Sequence, residues 1–381
     1  MTGKQRSTTT DSNFLIFSVF QIMFEKVKEV PLPHGAVSPW PSNLSVCCLD
    51  TRNLTYVAVI QANNVHIASW DNKADTEIHW DTIQTAESVR SDEKFADVTT
   101  IGLVHPNSRN FPIAIIGSTR NIYVYDVKKV SQKPLFSISL ASALKDYAPC
   151  VGNDVGPYSR GVTCNDNLIL VGTHTGEIVM ITCNGDTSFS SKKNLKEHKS
   201  AIVDIATCRY DEITVSADSS GEIVIWQKPV KGVQSRILTK KEINVVNVLR
   251  KQVIVGTLRG LVLYYSVTTG DLMCEISAHS RPVNSVSVAP ESAYVMTSSE
   301  DGTFIVSKLH TRKPHAYQVE FRFSDSDPSS IIMGAQFTNG RGSAIAVASF
   351  DSTELVMYKI VKKIPGASSS AQAGVSTSST S

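Results

Sequence analysis

One short cassette returns at regular intervals and restricts the fold more than any other feature of the 381-residue chain: a strand, a tight turn ending in glycine or asparagine, and a second strand. It reads Gly117-Ser-Thr-Arg-Asn121-Ile-Tyr-Val-Tyr125, then Gly172-Thr-His-Thr-Gly176-Glu-Ile-Val-Met-Ile181 and Ala217-Asp-Ser-Ser-Gly221-Glu-Ile-Val-Ile-Trp226. It continues as Gly256-Thr-Leu-Arg-Gly260-Leu-Val-Leu-Tyr-Tyr265 and Ser298-Ser-Glu-Asp-Gly302-Thr-Phe-Ile-Val-Ser307. A repeat of this kind means supersecondary units that stack on one another, because no single unit can bury its own apolar face.

The spacing tells which kind. From Asn121 to Gly176 is 55 residues, and the following steps to Gly221, Gly260 and Gly302 are 45, 39 and 42. A four-stranded propeller blade takes about 40–45 residues. The longer first step reads as a loop insertion. Glycine at the turn permits φ > 0 without a Cβ clash, and Asn121 is the next best residue there. Two looser copies lie at the ends: Thr55–Ile60 with Val65–Trp70, and Ser343–Ala348 with Glu354–Tyr358. That makes seven blades. Each cassette supplies the two middle strands. Ile202–Ala206 and Val283–Val288 read as inner strands, and Ser235–Leu238 and Leu272–Ile276 as outer ones. The seventh blade has no outer strand after Tyr358, so Val27–Leu32 is expected to fill that place and close the ring.

Residues 27–361 therefore read as the ring, residues 1–26 as an N-terminal extension and residues 362–381 as a disordered Ser/Ala-rich tail. Phe14–Phe24 is an apolar stretch too short to span a bilayer, which needs about 20 residues. Lys4 and Arg6 precede it, yet no small-residue cleavage site follows, and Met23 is a plausible alternative start. The formal charge of +2 exerts no overall pull toward nucleic acid or membrane. Seven cysteines without a Cys-x-x-Cys pair read as reduced thiols of a cytosolic protein. Asn43-Leu-Ser45 and Asn53-Leu-Thr55 match the glycosylation pattern, but read as chance matches in such a chain. Connections at about 71–96, 142–158 and 311–330 are longer than a blade needs.

Residues that carry chemistry are few. Blade 4 offers His198, Ser216 and Trp226 for a hydrogen-bonded tie, with Ser220 where an aspartate is expected. Blade 6 offers His279, Thr297 and Asp301, with Ser307 in place of the tryptophan. Both ties read as incomplete and structural. No metal-ligand spacing, phosphate-cradling loop or nucleophile elbow is present, so no cofactor is expected. One functional signal remains. Arg120, His174, Lys199, Arg259 and Arg281 fall at loops expected on a single face, where a basic rim suits an acidic or phosphate-bearing segment of another protein.

These features resemble the WD-repeat β-propeller family. The resemblance rests on Asn43–Val46, Arg52–Tyr56, Ile202–Thr207, Val215–Gly221 with Trp226, Thr268–Leu272, Ala278-His279 and Gly334–Phe337, and it covers roughly residues 23–360. It departs from the strong signature in having Trp226-Gln227 rather than Trp-Asp. It implies an all-β fold: a seven-bladed WD-type propeller of four-stranded antiparallel blades, closed by an N-terminal strand. It also implies a non-enzymatic scaffold of the cytoplasm or of vesicles that binds other proteins, with no specific nucleic acid, no transmembrane segment, and self-association open to it. Relatives begin with Met-Phe shortly before the first blade, as Met23-Phe24 does here. Two alternatives stand beside the scaffold: a membrane- or vesicle-linked adaptor using Phe14–Phe24, and an enzyme using the central channel. The second would need converging acids or histidines from several blades.

Overall fold

Every cassette folds as the second and third strands of an antiparallel sheet, and seven such sheets succeed one another around a ring. The computed structural model describes residues 23–33, 35–73, 78–85, 98–145, 157–310 and 318–361. Most of the connections at 71–96 and 142–158 and part of that at 311–330 lie outside them, as do residues 1–22 and the C-terminal tail.

The strand sequences explain the layering. Second strands such as Ile113–Ser118 and Gln252–Thr257 are buried along their whole length, because neighbouring blades cover both of their faces. Outer strands such as Val233–Leu238 alternate, since one side meets solvent. The apolar layers lie between blades: Val215, Ile223 and Ile225 of blade 4 pack against Val246, Val253 and Leu263 of blade 5. The expected inner strands run as Ile202–Cys208 and Val283–Ala289.

The turn glycines behave as the repeat demands. Gly176, Gly221, Gly260 and Gly302 have φ of 79°, 88°, 77° and 76°. At Gly260 an added Cβ would also lie 2.0 Å from the His279 carbonyl oxygen, so the turn is held against the next blade connection. Asn121 departs from expectation and keeps a negative φ. Its turn is held instead by Ser118 Oγ, which accepts from the N–H groups of Arg120 and Asn121. In the end blades the positive φ moves to Ala62 (51°) and Asp351 (59°).

Closure follows the expected route but starts earlier. Met23–Pro31 pairs antiparallel with Glu354–Val361 as the outer strand of blade 7. Residues 23–26 thus belong to the ring, not to an extension. A bulge between Lys26 and Lys28 leaves Val27 exposed. Phe24 is buried and lies 5.3 Å from the Phe323 ring of blade 6. Phe304 touches both Phe323 and Tyr358, so four aromatic rings join the closing strand to two blades. Met23 and Phe24, the end of the apolar stretch, are therefore part of the β-ring. Among the described residues no helix is long and apolar enough to cross a membrane.

Candidate functional site

The blade-4 tie is complete, contrary to the sequence reading. Asp218, at the end of the second strand, takes the carboxylate role, and Ser220 supports it. His198 Nδ1 lies 2.9 Å from Asp218 Oδ2, and His198 Nε2 lies 2.7 Å from Ser216 Oγ. Trp226 Nε1 donates to Ser216 Oγ at 2.9 Å. A carboxylate can only accept, so His198 donates from Nδ1 to Asp218; Nε2 of the neutral ring then accepts the Ser216 hydroxyl proton, and Ser216 Oγ accepts from the indole N–H. Asp218 Oδ1 accepts from the N–H groups of Ser220 and Glu222 and from Ser220 Oγ, which ties the turn to the imidazole. Burial raises the Asp218 carboxyl, but these bonds and that of His198 outweigh it and hold it below the ordinary value.

Blade 6 uses the alternative arrangement. Position for position, Asp218 and Ser220 become Ser299 and Asp301, so the two residue types trade places. His279 Nε2 pairs with Thr297 Oγ1 at 2.9 Å, and Nδ1 lies 3.3 Å from Asp301 Oδ2. Asp301 also accepts from the N–H groups of Ser280 and Thr303. No tryptophan seals this tie, because Ser307 occupies the position, as expected. His198, Asp218 and Glu222 also form a possible ligand set, the only one found among the described residues. Both ring nitrogens of His198 are already engaged, so the cluster works as a hydrogen-bonded tie.

Burial lowers the proton affinity of His279, and Asp301 only partly restores it. The unfolded chain then takes up a proton before the folded one as pH falls below 6.5, the ordinary histidine value, so stability declines in that direction. The depressed Asp218 and Asp301 carboxyls add to the loss as pH falls through their folded values. Asp204 on the channel wall works the other way, because burial raises its carboxyl to about 6 and the folded chain then binds that proton first. The check is therefore a difference: between about pH 7 and pH 5 the thermal midpoint is expected to fall more in the parent than in H279Q. Equal shifts in the two proteins would contradict the assignment.

The channel wall holds residues that the sequence reading missed. In six blades the inner strand slips register near its start, and a bulge there re-aims one side chain. Three bulge residues reach a carbonyl at the start of the next inner strand: Thr99 bonds Ser159 O, Asn244 bonds Val283 O and Asn284 bonds Ile332 O. Arg160 Nη2 spans from blade 3 to blade 5, meeting Asn244 Oδ1 at 2.7 Å. Asp204 accepts from the Ile205 and Val246 N–H groups, and desolvation in the wall moves its carboxyl up to about 6. The cavity is small, about 210 Å³, and Ser42 crosses to blade 6 at its edge. Arg160 and Asp204 are the charged groups on this lining, and their hydrogen bonds staple blades together.

Asn43 is 1% exposed, and its side-chain amide donates to Ser38 O and Ile60 O while its oxygen accepts from Ile60 N–H. The glycosylation match there is a structural asparagine.

The five basic positions lie at two kinds of connection that share one face. A chain that crosses the ring four times per blade returns to the same face at each second-to-third turn and at each blade connection. Backbone bonds join the two kinds directly: Leu140 N to Arg120 O, His174 N to Tyr158 O, and His279 N to Gly260 O. Arg120, Lys199, Arg259 and Arg281 are exposed. They are not equally available. Arg259 pairs with Glu242 at 3.2 Å, although its side chain stays 79% exposed. His174 is half-buried with its ring 6.0 Å from that of Tyr158, and burial lowers its proton affinity. It adds little positive charge at neutral pH.

Seven four-stranded blades, the His–Ser–Trp tie and an outer strand borrowed from the N-terminus define a WD-repeat β-propeller. A family model described as WDR54 matches residues 23–361, and the chain belongs to that family. WD repeat-containing protein 54 of Homo sapiens is 25% identical over 357 residues, covering 89% of this chain and 100% of that protein. WD repeat domain 54 of Rattus norvegicus is 25% identical over 353 residues, covering 88% and 99%. One solved chain, from the crystal structure of a mitotic checkpoint complex, aligns with a TM-score of 0.67 at 14% identity, over 95% of this chain and 97% of that one. This last likeness concerns the fold alone.

Proposed function

We propose that the chain is a non-catalytic, protein-binding scaffold, and that partners dock on the face that carries the second-to-third turns. The observation behind this reading is the exposure of Arg120, Lys199 and Arg281 on separate blades but on that one face. Arginine forks suit bidentate capture of carboxylate or phosphate, so an acidic or phosphorylated segment is the ligand chemistry that fits. The polar groups of the channel are engaged in stapling blades, which speaks against substrate chemistry there. Seven short-looped blades form a rigid platform on which such contacts keep their spacing. We place the protein in the cytoplasm, in keeping with thiols that form no disulfide among the described residues.

Reversing Arg120, Arg259 and Arg281 to glutamate is expected to abolish capture of acidic partners while the thermal midpoint stays near that of the parent. Exposed substitutions usually change stability by less than about 0.5 kcal/mol each. Affinity capture with mass spectrometry on both proteins provides the comparison. An unchanged partner set would move the binding surface off this face.

A further inference from the structure

Blade 3 differs from the other six in its outer strand, which is split into Phe189–Ser191 and Leu195–Lys196. The break at residues 192–194 opens a groove of about 800 Å³ on the circumference, between blades 3 and 4. Its floor is the outer margin of the Trp226 cluster: Leu168, Met180, Leu195 and Val230. Its rim is basic. Lys192 and Lys193 stand at the break, Lys196 follows, and Lys231 comes from the third-to-outer turn of blade 4.

The charges do not cancel. Glu197 is taken by Arg236 at 2.8 Å. Asp166 accepts from the Asn107 side-chain amide at 2.8 Å. The buried Glu177 balances Lys196 at 3.5 Å. Lys192, Lys193 and Lys231 are exposed and have no carboxylate within 4.0 Å among the described residues. Thr182 also lines the groove. An apolar floor with cationic walls fits a segment that alternates apolar and acidic side chains. An extended strand does this naturally, since successive residues point to opposite sides.

We propose that this groove is a second docking site, which takes an extended acidic segment of a partner protein. It rests on reading the ring as a protein-binding scaffold, and it lies on the side of the ring, away from the turn face. The probe is a fluorescein-labelled peptide of alternating Glu and Leu, followed by anisotropy at low salt. The K192E/K193E/K231E protein is expected to bind it about tenfold or more weakly, because exposed charges govern such encounters at low ionic strength. The R120E/R259E/R281E protein should bind within about twofold of the parent, because none of those three residues lines the groove. If the groove reversal does not fold, K192Q/K193Q/K231Q replaces it, with the same direction expected.

Equal binding by parent and groove variant would overturn the site. So would a labelled oligothymidylate, or vesicles containing phosphatidylserine, displacing the peptide from the groove. Binding lost in the turn-face variant but kept in the groove variant would also overturn it and leave the turn-face reading standing.

Discussion

A chain shortened to begin at Pro33 is expected to lose its closed ring and precipitate, whereas one that begins at Met23 keeps its thermal midpoint within about 3 °C of the full chain. The difference is the closing strand. Removing Met23–Leu32 takes away the buried side chains of Phe24, Val30 and Leu32. It also strips Glu354–Val361 of its hydrogen-bonded neighbour and leaves a long unpaired edge, which invites pairing with other chains. Phe24→Ala isolates the packing part of the effect. It keeps the backbone pairing but empties the aromatic cluster of Phe304, Phe323 and Tyr358, and should cost about 3–5 kcal/mol. Light scattering and thermal melts distinguish the outcomes. A soluble, cooperatively melting chain from Pro33 would contradict this account of closure.

Trp226→Ala is expected to be as severe, at about 3–5 kcal/mol for the lost packing. Trp226 is 2% exposed and belongs to the layer with Leu170, Ile178 and Val224. Truncation also removes the indole donor to Ser216 Oγ, in a chain that continues through His198 to Asp218. Trp226→Phe separates the two losses. It retains most of the volume while the buried Ser216 oxygen loses its indole N–H, a cost of about 1–3 kcal/mol for an unsatisfied group. Urea melts of the three proteins should rank Ala below Phe below the parent. Equal stability of Trp226→Ala and the parent would remove Trp226 from the anchor position.

The sequence was most informative where the physical cause is local. Alternation, apolar runs and a turn residue that permits positive φ act within a few residues, so all seven cassettes were legible. The need for an N-terminal strand was legible too, because the last copy lacked an outer strand. Boundaries were less secure. Nothing local marks Met23 rather than Val27 as the start of pairing; the burial of Phe24 against Phe323 decides it, across some three hundred residues.

The tie of blade 4 shows the same limit. Ser220 occupies the place where the repeat calls for an acid, and the motif alone reads as broken. Asp218 restores it only because the end of one strand brings its carboxylate 2.9 Å from His198. The bulges that aim Thr99, Asn244 and Asn284 at the next blade leave no common residue type behind, so no motif announces them. Of the five basic positions, sequence spacing determined that they share a face, because each falls at a second-to-third turn or at a blade connection. Tertiary structure decided that Arg259 has a carboxylate partner and that His174 is half-buried, since both depend on neighbours from other connections. The lysine-rimmed groove belongs wholly to the second kind: a break in one outer strand exposes it, and a turn from the next blade completes its wall.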